Sequence, residues 1–485
     1  MSIQHRRVPR PCVRRTRDTI PRSLRGPSPT APPSTEHSAE EPADRGSVRA
    51  VAPGRNREFW RLALPALGAL IAQPLFLLID AAIVGTLGTD ALAGLGAATT
   101  VFVTVIGLCI FLAYATTGAV GRLLGAGDIG GALRQGVDGI ALGAGIGVVL
   151  GIVVFVAAEP ILGLFGTSSQ VTPYAVTYLR VIAVSFPAVL AVLAAVGVLR
   201  GLQDTRATLL VSLAAVALNL VACVAFVLVL GWGIGGSAAA TALAEILGLV
   251  LYGVIIARRA RAAQVSLRPS GAGVLASARD GVPLFIRTLA LRAALVVAAM
   301  VAARLGDESL AAWHVTVTLF FTLALALDAL AIAGQALLSR TLGAADVAAS
   351  REVTRLIVLW SIAVGCVLTV VVLVLRTWFG GWFSDDASVI EQIGAALLVL
   401  ALLQPLAGLV FALDGVLIGA GDTRWLAWTQ CLVLALFLPA AWVVLDRGLG
   451  ITGLWCAMGW SLLVRAVVLI WRARGSAWLV TGAVR

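Results

Sequence analysis

A few ionisable or strongly polar side chains stand inside long apolar runs: Asp80, Arg180, Asn219, Thr241 and Glu245 in the first half of the chain, and Arg287, Arg292, His314, Asp328, Asp414 and Arg465 in the second. Such a group is costly to bury in hydrocarbon. It persists where it has a partner or a role, such as ion binding, proton carriage, pairing or substrate contact. Hydrolysis would need a nucleophile with a base, or a metal with its ligands. The runs hold one histidine, no HExxH and no GxSxG at a helix start. Cys12 lies near the N-terminus, and Cys109, Cys223, Cys366, Cys431 and Cys456 are scattered singly, with no CxxC or Cys/His spacing. They imply neither a metal centre nor a disulfide framework. An intramembrane enzyme is therefore the weakest reading, and no cofactor is expected.

Depth along each run suggests how the charged groups pair. Counted from one membrane face, Asp328 lies about as deep as Arg292, and Asp414 about as deep as Arg287. That predicts two buried ion pairs, each costly to break because a lone buried charge would remain. Substrate contact is the other role open to both aspartates. Asp80 and Arg180 both fall in the outer half of their runs, so an Asp80–Arg180 pair competes with a carrier role for Asp80. His314, beside Trp313, is expected to be a hydrogen-bonded interfacial residue. Glu245 and Arg465 take no assignment.

The elements that position these groups must be membrane spans. The 485 residues are 60% hydrophobic and 13% charged, against roughly 45–50% apolar and about 25% charged in soluble domains. A run of about 20 residues crosses a roughly 30 Å hydrocarbon core as a helix, which satisfies its own backbone in lipid. Helices are predicted near 60–84, 92–120, 138–160, 174–199, 207–230 and 234–257, then near 281–304, 309–338, 354–376, 390–418, 425–445 and 451–471. The second set repeats the first. Pro65 returns as Pro283, Leu87-Gly88 as Leu305-Gly306 and Pro187 as Pro405, all at one offset of 218 residues. The expected architecture is an all-α polytopic membrane protein, with twelve transmembrane helices in two pseudo-symmetric six-helix lobes. The lobes span 59–257 and 281–473, with a linker at 258–280. An even number of spans per half makes the repeats parallel.

Loop charge sets the orientation. All 36 basic residues are arginine, and most of those in the loops between spans fall on one side of the membrane. That side includes Arg122, Arg206, Arg258, Arg259, Arg340 and Arg424; the other has Arg304, Arg376 and Arg447. The positive-inside rule places both termini, including the tail 474–485, in the cytoplasm. Residues 1–58 are rich in arginine and hold half of the 18 prolines. They are expected to be a disordered basic tail drawn to anionic lipid, neither a nucleic-acid arm nor a signal peptide.

Three features are more specific: Pro65 followed 15 positions later by Asp80, the paired loops Gly201–Arg206 and Gly419–Arg424, and the turns Gly125–Asp128 and Gly343–Asp346. In the loops, Asp204 and Asp422 can cap the next helix; Gly125 and Gly343 can end one, with Arg122 and Arg340 marking the basic face. Over about residues 58–473 the chain resembles the multidrug and toxic compound extrusion (MATE) family, and residues 317–346 and 411–424 look like its DinF branch. The resemblance implies a cation site made of an aspartate on the first span, an asparagine and an aspartate one turn apart on the fifth, and a threonine on the sixth. Asp80, Asn219 and Thr241 match. The second carboxylate position is Cys223, a departure that favours a proton on Asp80 over sodium at the same three residues, since a hard cation wants several oxygens.

The function this implies is a secondary active antiporter exporting organic, drug-like compounds across the plasma membrane, with H+ rather than Na+ as coupling ion. Its cavity would lie between the lobes, faced by Asp80, Tyr178 and Phe186. Asp328 and Asp414 are possible substrate contacts, while Arg180, Arg287 and Arg292 belong to structural or gating pairs. The alternative is a lipid-linked precursor flippase of the same superfamily, which would favour a more cationic cavity and usually extra spans. The partners expected are small organic substrates and the lipid bilayer, not nucleic acid, with the chain a monomer.

Overall fold

The computed structural model describes residues 53–164 and 166–483. Most of the basic tail lies outside them, but its last six residues begin the first helix. There Arg55 pairs with Glu352 at 2.6 Å and Glu58 with Arg340 at 3.0 Å. The described residues contain no β-strand.

In the first half the spans are α1 (Pro53–Gly85), α2 (Thr89–Gly125), α3 (Ile129–Val156), α4 (Thr172–Ala183 continuing as Phe186–Gly201), α5 (Thr205–Val229) and α6 (Gly233–Ala262). The second half has α7 (Gly271–Arg304), α8 (Asp307–Gly343), α9 (Val347–Phe379), α10 (Ala387–Gly419), α11 (Thr423–Asp446) and α12 (Gly450–Arg474). Among the described residues eleven helices are long and apolar enough to span on their own, and the bent pair α4, taken as one span, makes twelve. Several run further at the arginine-rich end than the apolar runs alone indicate. The expected linker at 258–280 is mostly helix, with only 263–270 outside α6 and α7. Ser270 explains the restart: its hydroxyl accepts from the Gly273 amide, while its own amide and hydroxyl donate to Asp138 of α3.

The halves pack in one pattern. α1 lies on α5 as α7 lies on α11, α3 on α4 as α9 on α10, and α2 on α4 as α8 on α10; across the halves, α1 meets α8 as α7 meets α2. Small residues permit the tight approaches, as expected where helices associate by close packing in lipid. A Cβ on Gly143, Gly147 or Gly151 of α3 would strike the α4 backbone, 2.5–2.7 Å away. The repeated prolines differ in effect. Before Pro187 the chain bends by 55°, whereas Pro405 sits inside the unbroken α10.

The paired loops differ too. Asp204 caps α5 by accepting from the Ala207 amide at 3.0 Å and also pairs with Arg259. Asp422 makes no cap and instead takes Arg472 at 2.7 Å. Arg122, expected to mark a loop, is buried. Its guanidinium donates to the carbonyls of Ala420, Val480 and Gly482, tying down a C-terminal segment whose Trp478 is itself buried.

Candidate functional site

Two polar centres sit within the apolar bundle. The first surrounds Asp80, fully buried on α1. Thr241 Oγ1 donates to Asp80 Oδ2 at 2.9 Å, the Tyr178 hydroxyl donates to the same oxygen at 3.4 Å, and Asn219 Nδ2 donates to Thr241 Oγ1 at 3.3 Å. Residues four apart share a helix face, so Asn219 with Cys223 on α5, and Ser237 with Thr241 on α6, converge on the carboxylate. Directly after Cys223 the helix widens into a π-turn, Val224–Val229, a distortion common at functional sites. Asp80 Oδ1, Asn219 Oδ1 and Ser237 Oγ are buried with no hydrogen-bond partner among the described residues.

The three residues matched by resemblance are thus brought together, and Ser237 joins them unforeseen. Its position one turn before Thr241 was the available clue. The Asp80–Arg180 pair does not form. Tyr178 and Arg180 are two positions apart and point to different helix faces: Tyr178 faces Asp80, while Arg180 pairs with Glu159 at 3.0 Å near the surface. Phe186 packs its ring on Phe102, with centroids 5.7 Å apart, inside the bend of α4.

The second centre is a cavity of about 420 Å³ between α1, α2, α7, α8, α10, α11 and α12. Its wall includes Arg287, Arg292, Arg465, Asp328 and Asp414, with Phe320, Phe321, Phe411 and Trp455 supplying apolar surface. Asp80, Tyr178 and Phe186 are not part of that wall, contrary to expectation, because all three are enclosed within the first-half bundle. Asp414 does pair with Arg287, and Arg465 closes on the same Oδ2 from α12, so one carboxylate clamps two guanidiniums. The Asp328–Arg292 pair is absent. Asp328 accepts instead from the Tyr114 hydroxyl at 3.4 Å, with Arg200 and Arg287 as its nearest cationic influences. Equal depth on α7 and α8 placed Asp328 and Arg292 at one level but not on facing sides. Arg292 reaches across to α2, its guanidinium lying where a Cβ on Gly107 would be. Tyr114, Gly107 and the clamping role of Arg465 carry no sequence pattern that singles them out. His314 is exposed on α8, and Glu245 is half-buried on α6.

The family model described as MatE matches residues 65–225 and 283–443. Protein DETOXIFICATION 43 of Arabidopsis thaliana is 30% identical over 336 residues, a match spanning 68% of this chain but only 63% of that protein. DNA damage-inducible protein F of Escherichia coli is 29% identical over 87% of this chain and 94% of its own. Among solved structures, the Vibrio cholerae MATE transporter VcmN in its bent form shares the fold with a TM-score of 0.77, at 22% identity over 87% of this chain and 95% of that one.

Proposed function

The chain belongs to the MatE family of membrane transporters, and from that premise we propose that it is a proton-coupled exporter of small organic compounds, with Asp80 as the coupling residue. The carrying observation is the carboxylate itself. Asp80 is fully buried, no arginine pairs with it among the described residues, and only its Oδ2 accepts hydrogen bonds. A desolvated carboxylate without a counter-charge is stabilised by taking up a proton, and the acid so formed could donate to Asn219 Oδ1 or Ser237 Oγ, both lacking a donor. Loss and gain of that proton would then stabilise two conformations differently, which is what coupling requires.

One observation favours sodium as a second reading. Asp80 Oδ1, Asn219 Oδ1, Ser237 Oγ and Thr241 Oγ1 could hold a hard cation by polarising their oxygens toward it. Against it, Thr241 Oγ1 already commits a lone pair to the Asn219 amide, and Cys223 brings sulfur where an oxygen would help. Proteoliposomes with proton and sodium gradients imposed separately decide between them. Export driven by a proton gradient in sodium-free buffer supports the proposal; export that requires a sodium gradient overturns it.

The loop arginines support cytoplasmic termini, and a plasma-membrane location with outward export completes the proposed reading. The flippase reading gains from the arginines of the cavity and loses from the span count, twelve among the described residues with α4 taken as one.

A further inference from the structure

We infer that the cavity between the halves binds an amphipathic organic monoanion, its carboxylate held by Arg292 and its apolar body lying against Phe320, Phe321 and Trp455. This assignment rests on the exporter reading and names its substrate class. The charge of the wall carries it. Arg287, Arg292 and Arg465 stand against Asp328 and Asp414, an excess of one positive charge in a chamber whose other lining residues are uncharged. The excess has an address. Asp414 is committed to Arg287 and Arg465, and Asp328 to Tyr114, whereas no carboxylate pairs with Arg292 among the described residues.

A guanidinium in low dielectric without a counter-charge gains most from a ligand that supplies one, and a carboxylate matches its fork with two parallel hydrogen bonds. A cationic ligand would instead meet three guanidiniums with only two carboxylates to offset them. Three buried polar atoms on the same wall lack a partner among the described residues: Arg287 Nε, a further donor for an anion, and the acceptors Asp414 Oδ1 and Gln430 Oε1, which suit a donor on the ligand's body. At about 420 Å³ the chamber is within the range of small-molecule sites and accommodates a two-ring aromatic body. A polyprenyl chain would have to leave it, which favours a soluble carboxylate over a lipid-linked phosphate. Gly107 is the positioning residue: any side chain there would displace the Arg292 guanidinium without altering its charge.

The test is equilibrium dialysis of the purified full-length protein, without any gradient, against three ligands of one shape: 2-naphthoate, 2-naphthamide and 2-naphthylmethylammonium. Naphthoate is expected to bind roughly tenfold or more tightly than the ammonium, the size of one charge-assisted contact. Arg292→Gln should remove most of that preference, weakening naphthoate far more than naphthamide, while Arg292→Lys keeps an anion preference. Gly107→Ala should weaken naphthoate severalfold with the charge intact, so the effect cannot be assigned to net charge alone. Tighter binding of the ammonium, or naphthoate binding indifferent to Arg292→Gln in a variant of unchanged melting temperature, overturns the inference. Farnesyl phosphate displacing naphthoate with the tighter constant also overturns it, in favour of a lipid phosphate. Failure of gradient-driven transport with naphthoate binding intact would refute the exporter reading and leave this one standing.

Discussion

Gly125 and Gly343 seat each half of the molecule on the other. Gly125, the last residue of α2, lies against the backbone carbonyl of Arg340, and Gly343, the last residue of α8, lies against that of Arg122. The two positions are equivalents in the repeat, so the contact is reciprocal about a pseudo-twofold axis. A Cβ at either site would collide with a carbonyl held in a helix end, which cannot swing away as a side-chain tip can. Gly125→Ala and Gly343→Ala are each expected to cost about 1–3 kcal/mol, the usual range for overpacking. A thermal-denaturation series in detergent checks this; melting temperatures equal to wild type would mean that the crossing relaxes freely.

The two cavity aspartates of the second half should respond differently to removal. Asp414→Asn leaves Arg287 and Arg465 sharing a neutral partner and is expected to cost about 3–5 kcal/mol. A double-mutant cycle with Arg465→Gln should show strong coupling. The cycle joining Asp328→Asn and Arg292→Gln should be close to additive, because Asp328 contacts Tyr114 instead. Strong coupling in that second cycle would mean that Asp328 and Arg292 interact after all.

Scaffold and chemistry were unequally legible. Helix number, the repeat and the parallel halves follow from solvent and periodicity, which act on every residue of a span. The cavity does not, because the repeat copies the scaffold without its charges: at the 218-residue offset Asp80 corresponds to Ala298, Asp328 to Ile110, Asp414 to Val196 and Arg292 to Pro74. Depth along a helix is readable from residue counts, but azimuth against a neighbour depends on packing. Hence Arg287 with Asp414 was found, while Arg292 with Asp328 and Arg180 with Asp80 were not. Packing also gives one arginine at the basic end a role that a charge count does not carry. Arg122 counts as one more positive charge at the arginine-rich end, but its guanidinium is spent on three carbonyls, that of Ala420 at 2.6 Å among them.

That clamp makes the C-terminal segment part of the fold. Trp478, 2% exposed, fills space beside α12, so Trp478→Ala is expected to cost about 3–5 kcal/mol as a buried aromatic truncation. Arg122→Gln should release residues 476–483 and expose them to limited proteolysis, while the twelve spans stay resistant. A cleavage pattern unchanged from wild type would show that Trp478 alone anchors the segment.

The decisive substitution in the first half is Asp80→Asn, since the amide keeps the size of the carboxylate and removes its proton-dependent charge. Thr241 can still donate to the amide oxygen as it does to Oδ2, so the fold should survive with a melting temperature within a few degrees of wild type. Gradient-driven export should be lost. Binding in the cavity should remain, because Asp80 lies outside its wall. Tyr178→Phe removes only the longer of the two hydrogen bonds to Oδ2, so it should slow export without abolishing it. An Asp80→Asn protein that still exports against a gradient at near-normal rate would make Asp80 a structural hydrogen-bond acceptor, and the search for the coupling group would pass to Glu245, a half-buried carboxylate on α6 with no arginine partner among the described residues.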